Sequence, residues 1–246
     1  MTSQTDKAGR LTQVARQQDW PNSRPQDAAT LIIVDGRESK PRVLMGRRHD
    51  AHVFLPGKFV FPGGRISPAD SRLRASDDLD PVVMRKLLVD MKGKESRDRA
   101  RGLALTAVRE TFEETGLLIG KPRGRNSSTR SPLWREFLEH GVIPSLAEMR
   151  FIARAITPPR RPRRFDTRFF CTTHEAIASS VEIENRELLD LHWLTFEKAQ
   201  TLDLPTITQV VLEDLQSHLR AGRLPPKDAP VPYYFMRHGR FERQLI

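Results

Sequence analysis

The string Arg109-Glu110-Thr111-Phe112-Glu113-Glu114-Thr115-Gly116-Leu117 decides how this chain is read. Wound as an α-helix at about 100° per residue, it places Glu110, Glu113 and Glu114 within one arc of about 100°, with Leu105, Val108 and Phe112 opposite. One face is then buried and the other projects three carboxylates. Like charges this close repel one another and weaken the helix, so something must offset them. A divalent cation is the simplest candidate, and hard carboxylate oxygens suit Mg²⁺ or Mn²⁺. Such ions bridge phosphate oxygens and activate an attacking water. For the string alone, a solvated acidic face paired with arginines is the competing reading.

The loop upstream decides between the two. Phe61-Pro62-Gly63-Gly64 follows a short strand, Lys58-Phe59-Val60-Phe61, and paired glycines let a backbone approach a ligand closely. Strand, glycine loop and acidic helix together form a frame for phosphate and metal.

These residues resemble the Nudix box, whose pattern is G-x5-E-x7-R-E-U-x-E-E-x-G-U with U apolar. Gly64 matches the opening glycine, and Arg109, Glu110, Glu113, Glu114, Gly116 and Leu117 match the second half. Asp70 stands in place of the first glutamate, one methylene shorter, and Thr111 takes the first U position. Between Asp70 and Arg109 lie 38 residues where the pattern has seven, so an insertion of about 31 residues splits the box.

The resemblance implies an α/β Nudix fold, a mixed β-sheet sandwiched between α-helices, with a helical insertion inside the box. It implies Glu113 and Glu114 as main ligands of Mg²⁺ or Mn²⁺, Glu110 as a supporting one, and the Gly64 carbonyl completing the shell. Arg109 is expected to orient a carboxylate, Asp70 being the candidate, and Asp70 and Gly116 are the structural residues of the box. For the general base the choice stays open among Glu110, Glu114, Glu184 and Glu187.

A narrower likeness points to a substrate. Coenzyme A diphosphatase-like Nudix proteins of the peroxisomal type also carry a split box. The stretches from Phe54 to Gly64 and from Arg164 to Phe170 look like theirs. The implied substrate is coenzyme A or an acyl derivative. Arg47, Gly63, Arg164 and Arg168 are then the expected substrate contacts, because arginine suits bidentate phosphate binding. Arg160, Arg161 and Arg163 extend the same basic segment. If residues from 166 form a strand, Asp166 and Arg168 share a face. Alternatives are a Nudix hydrolase of ADP-ribose, dinucleotides, nucleoside triphosphates or capped RNA, and a non-catalytic nucleotide-sensing or nucleic-acid-binding module.

Around this centre, residues 1–25 are polar and read as a flexible arm, and 26–246 as one domain. Strands are expected at 28–34, 42–48, 149–156, 166–172 and 191–194. Helices are expected at 101–115, 133–140 and 204–221, the last stopped by Gly222. The insertion, about 71–101, holds a helix capped by Asp80 with Pro81 in its first position. Its Val83, Leu87 and Met91 form a stripe that docks on the core. The Pro-rich tail, 223–246, is expected to pack as an extended segment.

The net charge of +10 favours a phosphate-bearing partner. A nucleotide-containing small molecule is the expected one, rather than nucleic acid, and a homodimer is left open. No apolar run nears the roughly 18 residues of a membrane span. One cysteine, Cys171, rules out a disulfide within the chain and points to a reducing, cytoplasmic setting. His49 and His52 flank the second strand and stand near enough in sequence to touch substrate.

Overall fold

A computed structural model describes residues 4–48, 57–123, 129–183, 188–219 and 223–246. In chain order its elements are α1 (Gln4–Gln13), β1 (Gln26–Asp35), β2 (Arg42–Arg48), β3 (Phe59–Val60), β4 (Gly63–Arg65), α2 (Pro68–Arg72), α3 (Pro81–Leu88) and α4 (Arg97–Thr115). There follow β5 (Leu117–Ile119), β6 (Lys121–Pro122), α5 (Pro132–Glu139), β7 (Val142–Ile143), β8 (Arg150–Ile156), β9 (Phe165–Thr173), β10 (Ile177–Ser180) and β11 (Leu188–Thr195). The chain closes with α6 (Phe196–Gln200), α7 (Thr206–His218), β12 (Pro232–Arg237) and β13 (Arg240–Leu245).

The main sheet runs β11-β2-β1-β9-β8-β12-β13, with β3 added beside β2 and β4 beside β1. β1 lies parallel to β9, and β12 parallel to β8, while the other pairs are antiparallel. Apolar residues alternate to both faces. Ala29, Leu31 and Ile33 pack under α3, α4 and α5, while Ile32, Val34 and Met45 pack under α1, α6 and α7. The result is a mixed sheet between two helical layers. β1 is the strand that matters for function. Its far end pairs with β2 at Val34–Val43, but its start pairs with β4 at Ala29–Gly64, so the two glycines lie directly beside the sheet centre.

α4 is buried almost all round, not on one face as its charge pattern predicts. The sheet, α2, α3 and α5 enclose it, and its polar residues are satisfied locally. The hydroxyls of Thr111 and Thr115 donate to the carbonyls of Ala107 and Thr111. α4 also starts at Arg97 rather than 101, with the Ser96 side chain accepting from Arg99 N, and it ends at Gly116, φ 78°.

Within the insertion, Asp80 caps α3 with Pro81 in its first turn, and Val83, Met84 and Leu87 dock on the α4 side of the core together with Met91. Two expectations need correction. The arm at 1–25 holds α1, which docks by burying Leu11 and pairing Lys7 with Asp214 and Arg10 with Glu213. The Pro-rich tail forms the hairpin β12–β13, turned at His238 and Gly239, both with positive φ, and it extends the main sheet. His49, His52 and Gly222 lie outside the described residues.

Candidate active site

The two halves of the box meet around one guanidinium. Arg109 donates from Nε to Asp70 Oδ1 at 3.0 Å and from Nη2 to Asp70 Oδ2 at 3.1 Å, a bidentate pair. Nη2 also reaches the Arg65 carbonyl at 3.1 Å. Nη1 meets Glu110 Oε1 and Glu113 Oε2, each at 2.7 Å. The five N–H groups of the guanidinium thus each have an acceptor. Burial opposes the charge on Arg109, but Asp70, Glu110 and Glu113 outweigh it and hold the proton more firmly than usual.

One positive group faces three carboxylates here, and a fourth, Glu114, stands beside them. Glu114 is buried and accepts from Gly63 N at 3.3 Å. Glu113 is pushed up to about 7, first by burial and then by the charge of Glu110, with Arg109 opposing. Gly64 touches the Glu110 carboxylate so closely that a Cβ there would overlap it. A Cβ on Gly63 would meet the Ala29 carbonyl at 2.5 Å. Both glycines are therefore required by close approach.

Among the described residues, no three acidic, histidine or cysteine side chains converge as a ready-made cage for a cation. The donor chemistry nevertheless fits Mg²⁺ or Mn²⁺. Carboxylate oxygens outnumber the single cation among them, they flank a backbone stripped to glycine, and Glu113 carries a proton-seeking charge that Arg109 only partly offsets.

Of the expected substrate contacts, Gly63 lies at this centre, while Arg164 and Arg168 are engaged elsewhere. Arg168 is fully buried, donating to Asp27 Oδ1 at 2.7 Å and to the Asp166 carbonyl at 2.8 Å. Arg164 donates to Asn22 Oδ1 at 2.7 Å and to the carbonyls of Ser23 and Thr157, so it fastens the N-terminal segment. Arg47 lies on the β2 rim, its Nε 3.7 Å from Asp190 Oδ2. Glu184 and Glu187 lie outside the described residues.

Some residues at the site escaped the sequence reading. Ser67, Thr106 and Trp134 all donate to Asp70. Ser67 could have been found, because Ser-x-x-Asp before a helix is a capping-box pattern, and the box is present here. Trp134 offered no signal.

By its mixed sheet between helical layers and both halves of its box, the chain is similar to Nudix proteins and has their fold. It is similar to a Nudix hydrolase from Alicyclobacillus acidocaldarius, with a TM-score of 0.56 and 27% identity over 78% of this chain and 90% of that one. Among named relatives, it is 26% identical over 222 residues to acyl-coenzyme A diphosphatase NUDT19 of Xenopus laevis, covering 72% of this chain. A Caenorhabditis elegans protein named for the nudix hydrolases is 25% identical over 181 residues, 69% of this chain. The chain spans about half the length of these curated relatives, 55% and 51%. No family model matches it.

Proposed function

We propose that the chain is a metal-dependent Nudix hydrolase that cleaves a phosphoanhydride bond in a nucleoside diphosphate-linked substrate, coenzyme A or an acyl-coenzyme A first among them. One observation carries the reading. The box halves, 38 residues apart in sequence, close on Arg109 and leave an excess of carboxylate beside Gly63 and Gly64.

Glu113, Glu114 and Glu110 would hold Mg²⁺ or Mn²⁺, with the Gly64 carbonyl. A bound ion would neutralise charge on the diphosphate and lower the pKa of a water. Arg109 holds Glu110 and Glu113 through one nitrogen, Nη1, with Glu110 lying against Gly64. Glu110 and Glu114 are the described candidates for taking the proton of the attacking water. Coenzyme A is favoured by the likeness to an acyl-coenzyme A diphosphatase and by the split box. The basic segment around Arg164 and Arg168 gives it no support, since those side chains are engaged internally.

The test is a panel of coenzyme A, acetyl-coenzyme A, ADP-ribose, NADH, diadenosine polyphosphate and nucleoside triphosphates, each with Mg²⁺ and with Mn²⁺, products identified by mass. Adenosine 3′,5′-bisphosphate from coenzyme A, lost in a Glu113→Gln, Glu114→Gln double variant, is the expected result. Turnover of another nucleotide alone would keep the hydrolase and remove coenzyme A. No metal-dependent turnover would overturn the enzyme reading.

A further inference from the structure

Asp70 receives more than its ion pair with Arg109 requires. On Oδ2 it accepts from Ser67 N at 2.8 Å and Thr106 Oγ1 at 2.9 Å, besides Arg109 Nη2. On Oδ1 it accepts from Trp134 Nε1 at 2.9 Å, besides Arg109 Nε. Five donors therefore surround a carboxylate that is wholly buried.

We propose that Trp134 is a positioning residue of the active site, whose indole N–H, acting through Asp70, fixes Arg109 where Nη1 meets Glu110 and Glu113. The torsion that turns a carboxylate about its own axis is intrinsically soft. Ser67 and Thr106 hold only one oxygen of Asp70. Among the described residues Trp134 is the one donor other than Arg109 on the second oxygen, so with it the plane is set from both ends. A bidentate pair transmits that plane to the guanidinium, and the direction of Nη1 follows.

The need for such a device arises from the shorter side chain. α2 lies against α4 at Gly102, where a Cβ would overlap Ser71, so the helices approach closely enough for Asp70 to reach Arg109. Closeness supplies reach but not orientation. Orientation comes from α5, which rides on α4 through aromatic edges. Phe112 and Phe137 stand at 5.4 Å and 80°, and Phe137 and Trp134 at 5.4 Å and 74°. Trp134 is completely buried, so its N–H has no water to turn to.

The proposal rests on the hydrolase reading only for its turnover arm, and the test separates the two. Trp134 is replaced by phenylalanine and, separately, by the shape-matched 3-benzothienylalanine, which lacks the N–H and guards against loss of folding. Leu138→Ala, a buried α5 position outside the aromatic contacts, serves as a packing control. Three quantities are followed: Mn²⁺ affinity without substrate, exchange of the Arg109 Nε–H in the metal-free protein, and kcat with KM on whichever substrate turns over. Both Trp134 variants are expected to weaken Mn²⁺ binding about tenfold, to speed Arg109 Nε–H exchange, and to lower kcat more than KM. Leu138→Ala is expected to lower Tm alone. If the benzothienyl variant keeps wild-type Mn²⁺ affinity and Arg109 exchange, Trp134 is packing and the proposal is overturned. If wild type turns over nothing while those two readouts still shift, the positioning role stands and the hydrolase reading fails.

Discussion

α4 meets two buried arginine–aspartate networks, one toward each end, and their difference shows what makes one of them a site. Toward the C-terminal end, Arg109 serves Asp70, Glu110 and Glu113, one cation for three acids. Beside the N-terminal end, Arg154, Arg168 and Arg99 serve Asp166 and Asp27, three for two. The second network has no spare carboxylate. Arg154 also donates to the carbonyls of Val89 and Asp90 and lies 4.3 Å from the Tyr233 ring, so it fastens the insertion to the sheet and the C-terminal hairpin. The chemistry of the groups is the same in both. Charge balance and access differ, for Glu113 remains 37% exposed while Arg168 and Asp166 are sealed.

The comparison can be broken in order of expected effect. Glu113→Gln with Glu114→Gln should cut turnover by about 10²–10³-fold while leaving Tm near wild type, measured by product assay and calorimetry. Asp166→Ala should do the reverse. It strands the buried Arg154 guanidinium and leaves Arg168 with Asp27 alone, costs about 3–5 kcal/mol and lowers Tm by about 10 °C, with kcat of the folded fraction kept. A large loss of kcat there would mean that the networks are coupled. Gly63→Ala should cost about 1–3 kcal/mol, because the added methyl meets backbone that cannot yield. Gly64→Ala meets the mobile end of Glu110, so it should cost less stability and more activity.

The smallest effect concerns pH. Glu113 ionises at about 7 in the folded chain against an ordinary 4.5. Its folded pKa is raised, so its contribution is fully present below about 4.5 and is lost as pH rises through about 7. Without metal, Glu113→Gln should therefore raise Tm by about 2 °C at pH 8 and change nothing at pH 4. An equal shift at both values would remove the charge argument.

Much of this was legible where the signal is local. The α4 string ends at its glycine, the strands at 42–48 and 165–173 follow their apolar runs, and Asp80-Pro81 starts α3. The failures are non-local. α1 shows little apolar character and is held by Asp214 and Glu213, about two hundred residues away. The basic segment looked like a phosphate site because its acceptors, Asn22, Ser23 and Asp27, sit on another part of the chain. Asp166 was the available warning, since it shares a strand face with Arg168. The tail's prolines hid a Tyr233–Phe235 and Phe241 alternation about a His-Gly turn.

The pairing of Asp70 with Arg109 closes a ring of chain 39 residues in sequence separation, where the unbroken box would close one of eight. Loop-closure entropy grows only with the logarithm of length, so the longer ring costs about 1.4 kcal/mol more. A sum that small is readily recovered by Val83, Met84 and Leu87 going out of water. The kinetic consequence is larger than the thermodynamic one. α4 forms from local contacts, whereas its arginine needs Asp70 brought back across 39 residues, so the helix can form before the pair does. Competence for chemistry should then be among the last properties this chain acquires as it folds.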